Sequence, residues 1–267
     1  MKIAVIGAGN MGMAFSNAFV KRGILSAKDI LLVEPRIEAH PGLKDQGFSW
    51  LSNSIDNQIE NCNIIILAVK PQDFKTMSLE LKKHVNERQV ILSIMAGISI
   101  EGISDALNQK KIVRSMPNTP AKLGVGITGF FSQNLSAEEL HTIKKLLEST
   151  GSSVELDKES LLNAVTALSG SGPAYFYYFL KSIVEAGEEL GLPYDLAQKL
   201  ACETMNGSYQ LIKDSNMSFD ELIKAVTSKG GTTEAALGVF DGHNISECIK
   251  KGVLRAEERA KELSSNN

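Results

Sequence analysis

Near the start of the chain, Gly7-Ala8-Gly9-Asn10-Met11-Gly12 spells G-x-G-x-x-G, directly after a β-rich run at residues 2–6 and directly before a helical pattern at 11–22. Each glycine has its own task in such a turn. The first permits the tight bend, the second lets the backbone approach a diphosphate, and the third lets helix and strand pack closely. The helix N-terminus then presents N–H groups and the positive end of its dipole to the phosphates. A second strand, 30–34, ends in Glu34, about twenty residues past the third glycine. A carboxylate there accepts from an adenosine ribose 2′-hydroxyl and repels a 2′-phosphate, whereas Arg36 is suited to grip that phosphate with two donors. The pair leaves NADH and NADPH both open.

Three of four further segments join the turn in carrying chemistry-bearing residues, and the fourth is a glycine–serine stretch. Ala68-Val69-Lys70-Pro71 follows an apolar strand, at the end of the sheet where such folds bind ligands. Met116-Pro117-Asn118-Thr119-Pro120 ends another strand, its prolines stiffening a loop that offers Asn118 and Thr119 as hydrogen-bonding groups. The stretch from Leu168 to Tyr175, LSGSGPAY, reads as a glycine–serine turn with proline near the start of a long helix. Thr227-Ser228-Lys229-Gly230-Gly231-Thr232-Thr233 opens another helix, and its N–H groups beside hydroxyls suit a carboxylate.

The elements that must carry these segments follow from periodicity. Residues 2–6, 30–34, 63–69, 89–94, 111–116, 127–131 and 153–156 read as strands, separated by helical patterns such as 11–22 and 73–84. Ser136-Ala137-Glu138-Glu139 has capping-box spacing and starts a helix expected to end near Gly151 as a left-handed terminator. From residue 161 the pattern is helical only, at 174–190, 194–213, 219–226, 232–240 and 245–263, with a frayed tail at 264–267. The chain is therefore read as an α/β nucleotide domain with a mostly parallel sheet, residues 1–157, followed by an all-α domain, residues 158–267. The helix at 174–190 is apolar on most sides up to Val184, more than one small helical domain can cover, so a dimer built through this half is expected.

Composition narrows the classes. The 267 residues carry a net charge of −3 and no basic cluster, which gives no footprint for nucleic acid. The longest apolar run, 64–69, is too short to span a bilayer, and the N-terminal residues read as a strand rather than a signal peptide. Cys62, Cys202 and Cys248 lack paired spacing and are read as buried or half-buried thiols. His40, His84, His141 and His243 are scattered, so no metal is expected. A cytoplasmic protein fits these features.

AVKP, MPNTP, ALSGSGPAY and TSKGGTT, in that order behind the glycine turn, closely resemble the pyrroline-5-carboxylate reductases from first strand to last helix. The resemblance implies a Rossmann domain, a helical dimerisation domain, dimers often gathered into a larger ring, and reduction of 1-pyrroline-5-carboxylate to L-proline by NADPH or NADH. It further implies that Gly7, Ala8, Gly9, Asn10, Met11 and Gly12 hold the diphosphate, and that Glu34 and Arg36 meet the adenosine ribose. Ala68, Val69, Lys70 and Pro71 would line the nicotinamide ribose, with Ala96 and Asn118 near the nicotinamide. Ser228, Gly231 and Thr232 would bind the substrate carboxylate, Thr233 would act as the catalytic hydrogen-bonding group at the ring nitrogen, and Glu159 would lie near the substrate. Two positions depart from the family: Lys229 stands where proline is common, and Glu34 is unusual among enzymes that prefer NADPH. A β-hydroxyacid dehydrogenase is the enzyme alternative, but its catalytic lysine would fall at Phe176, with Lys181 out of register. The non-enzyme alternative, a nucleotide-sensing protein, predicts a degraded second half, whereas both glycine turns are intact.

Overall fold

The computed structural model describes residues 1–39 and 42–265; His40 and the last two residues of the expected tail lie outside them. Eight strands form one sheet: β1 (Ile3–Ile6), β2 (Ile30–Val33), β3 (Leu51–Ser52), β4 (Ile64–Leu67), β5 (Val90–Ser93), β6 (Ile112–Met116), β7 (Gly126–Gln133) and β8 (Gly151–Glu155). Their order is β3-β2-β1-β4-β5-β6-β7-β8. The first six run parallel in the dinucleotide-binding order, with the reversal between β1 and β4; β7 is antiparallel to β6, and β8 follows β7. The seven strands expected from sequence are all present, and β3 is added at the edge.

Both faces of the central strands are buried, which is why they read as continuous Ile, Leu and Val runs. Alternate residues build two cores. On one face Ile3, Val5, Ile64 and Ile66 pack with Phe15 and Phe19 of α1 (Asn10–Lys21) and with residues of a later helix at 137–148. On the other, Ala4, Ile6, Ile65 and Leu67 pack with α2 (Pro71–Leu81) and α3 (Ile100–Leu107). Each fully buried Ile or Leu contributes about 1.5–3 kcal/mol. The helix at 137–148, α4 (Ala137–Glu148), begins with the expected capping box: Ser136 Oγ accepts the Glu139 N–H while Glu139 accepts the Ser136 N–H. Gly151 does not terminate this helix. It is the first residue of β8 at φ +140, and a Cβ there would strike the Gly126 carbonyl oxygen.

The helices that follow are α5 (Leu161–Val165), α6 (Gly172–Glu189), α7 (Tyr194–Asp214), α8 (Phe219–Ala225), α9 (Thr232–Gly242) and α10 (Ile245–Ser265). The start of the expected frayed tail is thus helical, and Ser264 Oγ donates to Asn163 Oδ1. The stretch read as a glycine–serine turn is instead a π-helical turn, Thr166–Gly170, leading into α6. The Ser171 N–H reaches back five residues to the Thr166 carbonyl, a widened turn of the kind that recurs at functional sites.

The chain divides into two compact units: Met1–Gly172 with the C-terminal stretch from Ala256, and Pro173–Arg255. Residues 158–172 pack with the sheet because α5 lies on it, Val165 touching β7 at Gly129. The second unit has a small core of Val184, Ala197 and Ala201. Its α6 exposes five consecutive aromatic side chains, Tyr175 to Phe179, with Tyr178 76% exposed. Among the described residues no helix is long and apolar enough to cross a membrane, and no His, Cys, Asp and Glu cluster suits a metal ion. Cys62 is buried, with its thiol pushed up to about 11 by burial; Cys202 and Cys248 are exposed, contrary to the expectation of buried or half-buried thiols.

Candidate active site

β1 ends at Ile6, and Gly7 turns the chain at φ +101 with its N–H on the Val33 carbonyl. A Cβ on Gly7 would meet the Ala68 carbonyl at 2.7 Å, and one on Gly12 would collide with the Gly7 carbonyl and touch the Ala68 Cβ. These two glycines are thus demanded by the fold itself, which presses the glycine turn against the Ala68 loop. Gly9 is different. It has an ordinary φ of −72, and a Cβ there would meet nothing within 4 Å. Among the described residues nothing requires that position to be bare, so the constraint fits a ligand laid across it. Gly9 is also the N-cap of α1 and offers no side chain to its first-turn N–H groups, which keeps them available for a diphosphate. A groove of about 560 Å³ opens here, with Ala8, Gly9, Asn10 and Lys122 in its wall. Lys122 carried no motif signal. It arrives because the turn Thr119–Leu123 folds back beside α1.

Glu34, half-buried at the end of β2, accepts the Ala8 N–H at 3.2 Å through Oε2 and the Arg36 N–H at 3.4 Å through Oε1. The Arg36 side chain is exposed. Lys70 is the N-cap and Pro71 the first residue of α2, so Ala68 to Pro71 form a short rigid passage from strand to helix. Ala96 lies in the loop between β5 and α3, next to Gly97 at φ +76. Asn118 follows β6, where its Oδ1 accepts the Ile127 N–H at 3.0 Å. The nucleotide-side residues singled out from sequence therefore all lie at C-terminal ends of the parallel strands β1, β2, β4, β5 and β6, one edge of one sheet.

Glu159 belongs to this first unit. Its Oε1 accepts from Arg114 Nη1 at 2.9 Å and from the Ile100 N–H at 2.9 Å. Arg114, in the middle of β6 and almost fully buried, was invisible to motif reading.

In the second unit, the 227–233 segment forms the turn before α9. Gly230 sits at φ +73, the Gly231 N–H bonds the Ser228 carbonyl, and Gly231 is the helix N-cap. A Cβ on Gly231 would lie 2.5 Å from Ser228 Oγ. Glu234 accepts the Gly230 N–H at 2.7 Å, a clamp that the motif alone does not announce. The first-turn N–H groups of α9 have no side-chain cap, and among the described residues no hydrogen bond occupies the Thr233 hydroxyl. Ser228, Gly231, Thr232 and Thr233 are thus gathered in one turn, with Lys229 exposed beside them.

A family model described as pyrroline-5-carboxylate reductase dimerisation matches residues 159–263, and one described as NADP oxidoreductase coenzyme F420-dependent matches residues 2–97. The pyrroline-5-carboxylate reductase of Pseudomonas aeruginosa is 34% identical over 265 residues, 98% of this chain and 97% of its own. The chain belongs to the pyrroline-5-carboxylate reductase family. The reductase of Staphylococcus haemolyticus is 33% identical over 269 residues, 100% of this chain and 99% of its own. Among solved structures, the enzyme from Coxiella burnetii aligns with a TM-score of 0.89 at 30% identity, covering 98% of each chain. That from Plasmodium falciparum, solved with NADP bound, gives 0.87 at 26% identity over 99% of this chain and 98% of its own. The activity expected from the motifs, NAD(P)H-dependent reduction of 1-pyrroline-5-carboxylate to L-proline, the last step of proline biosynthesis, is that of this family. Neither the dehydrogenase nor the nucleotide-sensor alternative is better supported.

Proposed function

We propose that this reductase works with NADH in preference to NADPH, and that it does so by positioning rather than by strong acid–base catalysis. The observation that carries the cofactor preference is the Glu34 carboxylate hydrogen-bonded to the Ala8 N–H at 3.2 Å. A carboxylate tethered there can accept from a ribose 2′-hydroxyl and opposes a 2′-phosphate. When bound, the nicotinamide supplies the hydride. The chain's own work is to hold and orient. Gly7 to Gly12 cradle the diphosphate on the α1 N-terminus, with Lys122 as a neighbouring cation. Ala68 to Pro71 line the nicotinamide ribose, and Ala96 and Asn118 flank the ring.

The Ser228–Thr232 turn receives the substrate carboxylate on the uncapped N–H groups of α9. Thr233 hydrogen-bonds the ring nitrogen. A protonated cyclic imine is already electrophilic, so holding its carbon at the hydride and excluding water supplies most of what the reaction needs. The reductase acts as a homodimer through its helical half, as the exposed aromatic row of α6 and the dimerisation family model support, and the dimers assemble into a larger ring. Exposed thiols at Cys202 and Cys248 support a reducing, cytoplasmic setting. The deciding experiment follows NADH and NADPH oxidation separately with pyrroline-5-carboxylate, alongside light scattering for the assembly. Turnover with NADH at the higher kcat/KM is expected; a preference for NADPH overturns the cofactor reading, and a monomer at micromolar concentration overturns the dimer.

A further inference from the structure

We infer that Glu159 is a positioning residue for hydride transfer, acting through the loop at 94–99, and not a substrate ligand. The inference rests on the reading of Ala96 as a neighbour of the nicotinamide.

Glu159 is the meeting point of three segments far apart in sequence. Its Oε1 is shared between Nη1 of Arg114 in β6 and the N–H of Ile100, the first residue of α3. The Arg114 side chain is only 7% exposed and the Glu159 side chain 27%, so the pair is shielded and its geometry is held. A carboxylate at a helix N-terminus is favoured by the helix dipole as well as by the N–H it accepts. Ser99 supplies the local cap, taking the Gly102 N–H, so Glu159 is a second, remote cap on the same helix end.

The loop at 94–99 hangs between two anchors. At the β5 side, the Ile94 N–H bonds the Leu67 carbonyl and the Met95 N–H bonds Ser93 Oγ, while Ser115 Oγ donates to the Ser93 carbonyl. At the other side the anchor is α3, whose first residue Glu159 holds. Gly97, at φ +76, lies between the anchors, while Ile94, Met95 and Ile98 pack the loop into the two cores, so a shift at either anchor is passed along it. Removal of the Glu159 carboxylate takes one of the two caps from that end and strands a buried guanidinium, so the loop shifts relative to the glycine turn. Misplacement by about 1 Å costs on the order of 100-fold in rate where catalysis depends on alignment. A carboxylate already matched by a buried guanidinium and spent on a backbone donor has little charge left to offer a cationic imine.

The test uses the full-length enzyme with Glu159→Ala and Glu159→Gln. In Glu159→Ala, kcat should fall at least ~10-fold while KM for pyrroline-5-carboxylate and Kd for NADH move less than ~2-fold. Glu159→Gln, whose amide oxygen still accepts the Ile100 N–H, should be intermediate. The primary isotope effect with 4-deuterated NADH should rise as hydride transfer becomes limiting. If Glu159→Ala unfolds, the near-isosteric Glu159→Gln carries the test, with thermal melts as the control for folding. An unchanged kcat, or a loss carried by KM for pyrroline-5-carboxylate, overturns the inference, the latter in favour of direct substrate contact. Ala96→Val separates the two readings. A drop in kcat there with normal Glu159 variants defeats the positioning role alone. Normal turnover in Ala96→Val defeats the placement of Ala96 and, with it, the route through the loop.

Discussion

Glu34→Gln is the most informative single substitution in the nucleotide half, because it removes charge while keeping shape and an acceptor for the Ala8 N–H. In the parent, the carboxylate is fixed at 3.2 Å from the Ala8 nitrogen and 3.4 Å from the Arg36 nitrogen. A 2′-phosphate on the adenosine ribose would bring further negative charge against it. Unit charges about 4 Å apart repel by about 1 kcal/mol in water and about 4 kcal/mol at an effective dielectric near 20. Glu34 is half-buried, so the penalty falls between these limits, at about 1.5–3 kcal/mol or roughly 10- to 100-fold in affinity. Removing the charge should raise kcat/KM for NADPH by that factor and lower it for NADH by ~2- to 10-fold, roughly the difference between a hydrogen bond to a charged acceptor and one to a neutral amide. Added salt should narrow the parent's NADPH penalty and leave the variant nearly unmoved. Combining the change with Arg36→Ala should return part of the gain, since the exposed guanidinium is the nearest candidate grip for the phosphate. Initial rates of cofactor oxidation at fixed pyrroline-5-carboxylate give all these ratios. A NADPH-to-NADH ratio in Glu34→Gln within twofold of the parent would refute the electrostatic reasoning.

Thr233→Ala should lower kcat/KM at least ~10-fold, about 1.4 kcal/mol of transition-state stabilisation, and unchanged kinetics would remove the hydroxyl from the mechanism. Gly9→Ser should fold normally, because a Cβ there meets nothing, yet weaken NADH binding by ~10- to 100-fold as the new hydroxyl caps α1 and takes space and donors from the diphosphate; fluorescence titration beside a thermal melt measures both. At Glu139, burial pushes the carboxyl up, but the bonds from Lys111 and Ser136 outweigh it and hold it below the ordinary 4.5. A group lowered in the folded state adds stability above its unfolded value, and that stability is lost as pH falls through the folded one. The gap between parent and Glu139→Gln should therefore be full at pH 7 and shrink as pH falls below 4.5 in denaturant titrations.

Legibility in the sequence tracked how local each cause is. The central strands were readable because burial on both faces writes an unbroken aliphatic run, as in Ile64–Leu67, and α4 because Ser136 and Glu139 cap it within four residues. β3 has two residues at a sheet edge, too short for any period to register. Gly151 looked like a helix terminator because residue type alone does not distinguish a left-handed cap from a close crossing of two strands. The π turn at Thr166–Gly170 carries the same small residues as an open loop and differs only in where the N–H groups point. At the site, the glycine turn and the 228–233 turn were legible as contiguous motifs. The meeting of Arg114 and Ile100 at Glu159 was not, since the contacts span 45 and 59 residues.

The helix N-termini differ in what caps them; α2, α5 and α7 start at Lys70, Ser160 and Pro193 with no side-chain cap. α3, α4 and α8 begin at Ser99, Ser136 and Ser218, each of whose hydroxyls accepts an N–H of its own first turn. Those ends are self-satisfied, and α3 and α4 pack into the sheet unit. α1 and α9 begin instead at Gly9 and Gly231, with no side-chain cap. An uncapped end forgoes the few tenths of a kcal/mol that serine offers over glycine, a small cost if a ligand later takes the free donors. One such end follows β1 in the nucleotide unit, and the other follows the 227–231 turn in the helical unit. The reaction needs two anionic handles, a diphosphate on the cofactor and a carboxylate on the imine. Two glycine-capped helices, one in each unit, offer backbone donors of the kind each handle needs.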